Sequence, residues 1–323
     1  MEDKKIIGVL TSGGDAPGMN AAVRAVTRAA IRKNMQVIGI KHGYNGLLSN
    51  EMETLNERSV SDIIGKGGTI LYTARCLEFK TDEGIDKAVE NCKKLGLTGG
   101  IVVIGGDGSF RGARDLSLKG IPCVGIPGTI DNDISCTEYT IGYDTAMNTA
   151  VELVDKIRDT AQSHDRCSVV EVMGRGAGYI AVNVGVACGA VEVITKEVKF
   201  SLEKIIEKII RLQSTGKKHF IILVSEGVGG SVDIAKEIEA RTGIETRATI
   251  LGHVQRGGAP SVRDRVVATQ MGERAVELLD KGIGNKVIGL KDGRIVDYDI
   301  LEGLNMKKAY DEDLHKLCEK LSF

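Results

Sequence analysis

Proline is scarce in this chain, at 4 of 323 residues, and no Ser/Pro-rich or low-complexity stretch interrupts it. Flexible linkers between separate modules are thereby excluded, and any domains must be joined by ordinary short crossovers. No apolar run approaches the length of a membrane span. The opening MEDKK leads into a short apolar stretch without the long hydrophobic region or small-residue cleavage site of a secretory signal. Neither sign of charge dominates: 43 Lys plus Arg against 44 Asp plus Glu leave a net charge of −1. Nothing electrostatic recommends nucleic acid or an anionic membrane as a partner, so any anion binding must be local. The seven cysteines, at 76, 92, 123, 136, 167, 188 and 318, form no C-x-x-C pair and have no His at zinc spacing. They read as reduced, mostly structural thiols of a cytoplasmic protein.

Glycine, by contrast, is abundant at 41 residues, roughly twice ordinary usage, and gathers where apolar runs end. Those runs are short and rich in Ile and Val: 6–10, 36–40, 100–106, 123–127, 168–172, 191–195 and 220–224. They fit strands buried on both faces of parallel sheets. Between them, 20–33, 82–95, 143–161, 201–213 and 232–241 look helical. In the fourth of these, Leu202, Ile205, Ile206 and Ile209 sit at helical spacing and Ser201 stands where a cap belongs. The class is α/β with right-handed crossovers, as two domains or one large one. In open α/β sheets ligands sit outside the carboxyl ends of strands, where glycine lets backbone N–H groups approach anions.

Two of the strand ends are alike: IIGVLTSGGDAPG at 6–18 and IVVIGGDGS at 101–109. One such loop reads equally well as a glycine turn closed by an Asp cap. Two of them point to phosphate binding at helix starts, with Asp107 as an acid for the Mg²⁺ of a nucleotide. Neither is followed by Gly-Lys-Ser/Thr and neither is G-x-G-x-x-G, which disfavours a P-loop ATPase or a dinucleotide dehydrogenase. Next comes PGTIDNDI, 127–134. As extended chain it turns Asp131 and Asp133 to one side; the competing reading is a turn in which Asp and Asn satisfy their own backbone. In the functional reading Asp131 accepts the proton of a hydroxyl attacking phosphorus, Asp133 helps order metal and water, and the Thr129 hydroxyl donates to the transferring group. Such a transfer also needs cations. Arg75, Arg166, Arg175, Arg247, His253 and Arg256 stand in polar, glycine-rich settings, expected near strand ends. Singly each reads as a surface residue; together they fit bidentate recognition of phosphate. Glu226, just after FIILVS, is placed to accept sugar hydroxyls.

These residues resemble those of the bacterial ATP-dependent 6-phosphofructokinases along essentially the whole chain, through GVLTSGGDAPGMNAA, VVIGGDGS, PGTIDNDI, TIGYDTA, RDTAQSHDR, VEVMGR and TRATILGHVQRGG. The resemblance implies two Rossmann-like domains with parallel-rich sheets flanked by helices. Residues 1–142 plus about 258–305 would bind MgATP, and 143–257 plus about 306–323 would bind fructose 6-phosphate. It implies the glycolytic transfer of the γ-phosphoryl group of MgATP to the sugar 1-hydroxyl, in a cytoplasmic homotetramer whose active sites are shared between subunits. Carried residue by residue, Asp131 is the base, within a catalytic set of Gly14, Arg75, Thr129, Asp131, Asp133 and Arg175. Thr129, Ile130, Asp131, Met173, Gly174, Arg175, Glu226, His253 and Arg256 meet the sugar phosphate, and Arg166 and Arg247 arrive from the adjacent subunit. Gly14, Tyr44, Arg75, Cys76, Gly106, Asp107, Gly108 and Ser109 meet MgATP, with Asp107 touching the metal and Arg75 bridging phosphate oxygens.

The alternative within the resemblance is the pyrophosphate-dependent branch, which typically has Asp where this chain has Gly108 and Lys where it has Gly128. An Asp at 108 would face the nucleotide α-phosphate, and like charges about 4 Å apart repel by roughly 4 kcal/mol at an effective dielectric near 20. Gly108 removes that obstacle and favours ATP. An intersubunit effector site for ADP or phosphoenolpyruvate is matched by Arg24, Arg28, Arg158, Lys217 and Lys218; a solvated basic face is the other reading. Against a working allosteric site, Glu57 stands where the family usually has Arg, Val191 where it has a metal-facing Glu, and Thr215 where some members have Arg. Arg58 and Glu192 lie one residue away, an offset that on a strand points to the opposite face.

Overall fold

The computed structural model describes residues 4–322. In chain order its elements are β1 (Ile6–Ser12), α1 (Met19–Arg32), β2 (Gln36–Ile40), α2 (Tyr44–Ser49), β3 (Met52–Leu55), α3 (Asp82–Lys94), β4 (Gly100–Gly105), α4 (Asp107–Leu118), β5 (Cys123–Pro127) and α5 (Tyr143–Ser163). There follow β6 (Cys167–Val172), α6 (Tyr179–Ala187), β7 (Glu192–Ile194), α7 (Leu202–Ser214), β8 (Phe220–Ser225), α8 (Ser231–Thr242), β9 (Thr246–Ile250), α9 (Val262–Asp280), β10 (Lys286–Lys291), β11 (Arg294–Asp299), α10 (Ile300–Asn305) and α11 (Glu312–Leu321). Short 3-10 turns stand at Glu78–Lys80 and Gly252–Arg256. Among the described residues no helix is long and apolar enough to cross a membrane.

The chain divides into two compact units. The first runs to Ile130 and adds Ile134–Thr145 and Arg256–Lys308; the second takes Asp131–Asp133, Ala146–Gln255 and the chain from Ala309 onward. The first unit holds a seven-stranded sheet of order β11-β10-β5-β4-β1-β2-β3. Its middle is parallel, and only the edge strands β3 and β11 run antiparallel to their neighbours. Every residue of β4 is buried, as a strand covered on both faces requires, whereas β11 is only partly covered. The second unit holds a four-stranded, wholly parallel sheet of order β7-β8-β6-β9.

Local signals explain the helices. The Ser201 side chain accepts from the Lys204 N–H as the cap of α7, and Ile205, Ile206, Ile209 and Leu212 are buried on one face. Thr81 caps α3 by accepting from Gly84 N, with Asp82 and Glu83 in the first turn and Lys93 and Lys94 in the last, matching the helix dipole. Gly18, at φ 104°, starts α1 where a Cβ would fall 2.6 Å from Ile141 Cγ2, so conformation and space both demand glycine.

The stretch after β5 departs from the extended geometry expected of it. Asn132 has φ 51°, in the left-handed region, so Asp131 and Asp133 stand on a turn and not on a strand. The cause is the turn chemistry of Asp and Asn, which overrides the alternation assumed for extended chain. Asp131 is buried and Asp133 partly exposed.

Candidate active site

In the first unit, β1, β4 and β5 are consecutive neighbours, with Ser12 opposite Gly105 and Gly105 opposite Pro127. Both Gly-Gly-Asp loops and the stretch Gly128–Ile130 therefore leave from the same carboxyl edge of one sheet. The register is tight there: a Cβ on Gly105 would lie 2.4 Å from the Ser12 carbonyl and 2.5 Å from Ser109 Oγ.

In the first loop, Gly13 adopts φ 88° and its carbonyl accepts from Thr73 Oγ1 at 2.6 Å. Gly14 faces the Arg256 guanidinium so closely that a Cβ would stand 2.7 Å from its Nη1. That guanidinium also donates to the Asp15 carbonyl at 3.2 Å. In the second loop, nothing lies within 4 Å of a Cβ built on Gly106 or Gly108, so the space before α4 is open. Asp107 opens the helix half-exposed, and its Oδ2 accepts from Arg111 Nε at 3.0 Å. Ser109 is buried, and its carbonyl accepts from the Tyr44 hydroxyl at 2.5 Å. Tyr44 is itself buried and stacked on Phe79 with ring centres 4.1 Å apart, and burial pushes its hydroxyl well above the usual range. Arg75 is exposed and lies in irregular chain after β3, not near a strand end as expected; its neighbour Cys76 is half-buried.

The stretch 127–129 is braced by residues 139–145. Thr129 N donates to the Ile141 carbonyl at 3.0 Å, Ile141 N to the Pro127 carbonyl at 2.9 Å, and Thr140 Oγ1 to the Thr129 carbonyl at 2.6 Å. Behind them stands Asp264, fully buried at the start of α9. Its Oδ1 accepts from the Tyr139 hydroxyl and from Gly142 N at 2.7 Å; its Oδ2 accepts from Thr145 N at 2.9 Å and from the Thr145 hydroxyl. Burial raises the Asp264 carboxyl above its ordinary value, while bonds from Thr145 and Tyr139 pull it down. Arg263 lies over the Tyr139 ring at 4.4 Å. Sequence reasoning missed Asp264 because Tyr139, Gly142 and Thr145 lie more than a hundred residues away in the chain; the local trace is Ser261 three residues before it, which caps α9 by accepting from Asp264 N at 3.2 Å.

In the second unit the expected residues fall into two groups at opposite ends of one sheet. Met173, Gly174 and Arg175 follow the carboxyl end of β6, Glu226 follows that of β8, and His253 lies in the turn after β9. Gly174 (φ 141°) and Arg175 (φ 57°) are held in their unusual conformations by Glu226, whose Oε1 accepts from Gly174 N at 3.2 Å and also from Arg175 N. Met173 N donates to Oε1 of the fully buried Gln255 at 3.3 Å, and Gln255 Nε2 returns a bond to the Gly252 carbonyl at 3.0 Å. Gln255, unremarked within GHVQRGG, thus ties two loops of this group together. Arg166 and Arg247 do stand near strand ends as expected, but at the amino ends of β6 and β9. Both are bridged by Glu245, at 2.7 Å from Arg166 Nε and 2.7 Å from Arg247 Nη2, and these bonds lower the Glu245 carboxyl.

The expected effector residues divide as well. Arg24 and Arg28 lie on α1 and Arg58 in a turn of the first unit, so the strand-offset expectation does not apply at Arg58. Arg158, Lys217 and Lys218 belong to the second unit. Arg158 donates to the Cys188 carbonyl, and Lys218 pairs with Asp165 at 3.5 Å. Burial, with Arg158 and Lys208 nearby, lowers the Lys217 ammonium. Val191 is packed in the core, while Glu192 pairs with Lys208 at 3.1 Å.

Comparison with known proteins adds to this geometry. The phosphofructokinase family pattern matches residues 6–279. An ATP-dependent 6-phosphofructokinase of Bacillus cereus is 55% identical over 318 residues, 98% of this chain and 99% of that protein. The ATP-dependent 6-phosphofructokinase of Bacillus anthracis is 55% identical over the same shares. Among solved structures, phosphofructokinase from Saccharomyces cerevisiae superimposes with a TM-score of 0.88 at 34% identity, covering 99% of this chain and 48% of the yeast chain. A pyrophosphate-dependent phosphofructokinase from Marinobacter aquaeolei, at 21% identity, shares the fold with a TM-score of 0.84 over 98% of this chain and 90% of its own.

Proposed function

The chain belongs to the phosphofructokinase family, and we propose that it phosphorylates fructose 6-phosphate on its 1-hydroxyl with ATP as donor, by direct in-line transfer. The observation that carries this reading is the common carboxyl edge of β1, β4 and β5, from which both Gly-Gly-Asp loops and the stretch leading into Asp131 emerge. In this reading residues 1–142 plus about 258–305 take MgATP and 143–257 plus about 306–323 the sugar phosphate.

Asp131 accepts the proton of the 1-hydroxyl as that oxygen bonds to the γ-phosphorus, while the bond from phosphorus to the β–γ bridging oxygen breaks and ADP leaves. The Thr129 hydroxyl and the loop at Gly14 donate to the transferring oxygens, Arg75 and Arg175 offset their charge, and Asp133 orders water. Tyr44, Cys76, Gly106, Gly108 and Ser109 shape the nucleotide site. A half-exposed carboxylate at a helix start with open space beside it suits Mg²⁺, which takes one or two carboxylates with substrate phosphates and keeps several waters. Asp107 would hold the ion, which when bound neutralises charge on the β- and γ-phosphate oxygens.

On the sugar side, Ile130, Met173, Gly174, Arg175, Glu226, His253 and Arg256 receive fructose 6-phosphate, and Arg166 and Arg247 come from a neighbouring subunit. The sheet geometry supports that last point. From Arg166 to Met173 the chain runs along the whole of β6, about 23 Å at ~3.3 Å per residue, well beyond the reach of an arginine side chain. A homotetramer with shared sites supplies what one chain lacks. All seven cysteines are free, which fits the reducing cytoplasm.

Pyrophosphate as donor is the second reading, and Gly128 counts against it. A Cβ there would lie 3.1 Å from Ile104 Cγ2 and 3.2 Å from Met19 Cε, so a lysine would press on both side chains. Turnover of fructose 6-phosphate with ATP and none with pyrophosphate is expected; turnover only with pyrophosphate, or with neither, would sink the proposal. Asp131→Ser should lower kcat by roughly 10²–10⁴ with much smaller change in sugar affinity.

A further inference from the structure

The second unit carries a cluster that the phosphoryl-transfer chemistry does not use. Glu192, at the amino end of β7, meets His315 and Glu319 of α11, with one potential ligand atom from each lying within 4.8 Å of the others. We propose that these three residues form a divalent transition-metal site, taking Zn²⁺ in preference to Mg²⁺ or Ca²⁺.

The two helical ligands are four residues apart, so they share one face of α11. The His315 side chain is only 4% exposed, and its Nε2 has as its nearest charged partner Glu319 Oε1 at 3.9 Å, too far for a hydrogen bond. Its other nitrogen is already committed, since Nδ1 lies 2.7 Å from the Tyr310 hydroxyl. The Tyr310 oxygen also accepts from Thr195 Oγ1 at 3.4 Å. This is the outer-shell arrangement that fixes a ligating imidazole: one nitrogen anchored, the other directed at the ion. Glu192 is anchored likewise, its Oε2 paired with Lys208 at 3.1 Å. Two carboxylates against one ammonium leave a net negative charge at the cluster.

Around a tetrahedral ion at ~2.1 Å, ligand atoms stand roughly 3.4 Å apart. The Nε2 to Glu319 pair is thus too open by about 0.5 Å and the other pairs, within 4.8 Å, by up to about 1.4 Å, an adjustment to which the 50% exposed Glu319 side chain can contribute. One imidazole with two carboxylates is a borderline donor set of the kind zinc accepts, whereas magnesium and calcium ask for oxygen alone. A recess of about 250 Å³, lined by His315, Glu319, Glu197, Lys199, Glu312 and Lys316, opens beside the cluster. Water from that recess would complete the fourth position.

Calorimetric titration of the chelator-treated full chain with Zn²⁺ tests the site. The wild type should bind one ion per chain, Glu319→Gln should weaken binding by at least about 10-fold, and His315→Gln should abolish it. Tyr310→Phe should weaken it by about 10-fold, the effect of a lost outer-shell partner. Glu312→Gln, in the recess but outside the cluster, should leave it unchanged. Glu319 is exposed enough that its variant folds normally, so that comparison does not depend on the buried histidine. Absence of binding by the wild type, equal binding by Glu319→Gln, or a Co²⁺ derivative with a strong thiolate charge-transfer band would overturn the proposal, the last by assigning the ion to cysteine.

Discussion

Asp264→Ala removes the acceptor from four close donors at once, the Tyr139 hydroxyl, Gly142 N, Thr145 N and the Thr145 hydroxyl, besides a long contact from Ser261 Oγ at 3.5 Å. A buried donor left without a partner costs about 1–3 kcal/mol. The two hydroxyls can rotate toward other acceptors, but the two backbone N–H groups cannot, so the loss that no rearrangement recovers is about 2–6 kcal/mol. Asp264→Asn keeps one acceptor oxygen and turns an amide NH₂ toward the other donors, orphaning one backbone N–H at about 1–3 kcal/mol. Urea unfolding at neutral pH should therefore rank wild type above Asn above Ala. The pH dependence has a definite sign. Because burial raises the folded carboxyl above its unfolded value, the folded state binds the proton more tightly. Stability from that proton is fully present below the unfolded pKa and is lost as pH rises through the folded one. The wild type's advantage over Asp264→Asn should thus narrow across that window. Variants that still fold should lose kcat more than sugar affinity, since the brace holds the backbone at Thr129. A cost for Asp264→Ala below about 1 kcal/mol, within reach of an ordinary substitution, would refute the reasoning.

Hybrid oligomers made by co-refolding Asp131→Ser with Arg166→Ala chains should regain activity that neither parent has, because some sites then pair an intact Asp131 with an intact Arg166; a mixture as inactive as its parents would show that each chain supplies its own arginine. ADP or phosphoenolpyruvate at millimolar concentration should move the fructose 6-phosphate saturation curve by less than the roughly 5-fold of ordinary allosteric coupling, and a larger shift abolished by Arg158→Ala would contradict this. In thiol titration the native protein should expose Cys76 alone to a disulfide reagent, because burial pushes Cys92 and Cys167 up to about 12 and Cys136, Cys188 and Cys318 up to about 11. Rapid labelling of several thiols before unfolding would mean that the cores around them open readily.

What could be read from the sequence was what local chemistry determines. The runs GIVVIG and FIILVS announce buried parallel strands because nothing polar interrupts them, and Ser201 before an apolar face announces α7. The edge strands METL and RIVDYD are short or partly exposed and carry no such run, so β3 and β11 emerge only once their neighbours are in place. Residues 131–133 were ambiguous for a physical reason: alternation and turn chemistry predict different backbones for the same letters, and Asn132 takes the left-handed conformation that the turn requires. Asp264 and Gln255 were illegible because the bonds that define their roles reach distant segments, while their local bonds to Ser261 and Gly252 mark only a helix cap and a turn.

The two glycines that bear on the choice of donor differ in what holds them. At 128 a built Cβ falls 3.1 Å from Ile104 Cγ2 and 3.2 Å from Met19 Cε, so a side chain there needs those two side chains to give by a few tenths of an ångström. At 108 nothing lies within 4 Å of a built Cβ, so packing does not require glycine there. An aspartate at 108 fits sterically, and in the proposed reading its effect is the charge it brings toward the nucleotide, roughly 4 kcal/mol at 4 Å and weaker with salt. In the proposed reading, preference for ATP has an electrostatic component at 108, and at 128 a tight contact to which Ile104 and Met19 must give way by a few tenths of an ångström. A single change at 108 is expected to weaken ATP use, and a lysine at 128, as in the pyrophosphate-dependent branch, additionally asks Ile104 and Met19 to shift slightly.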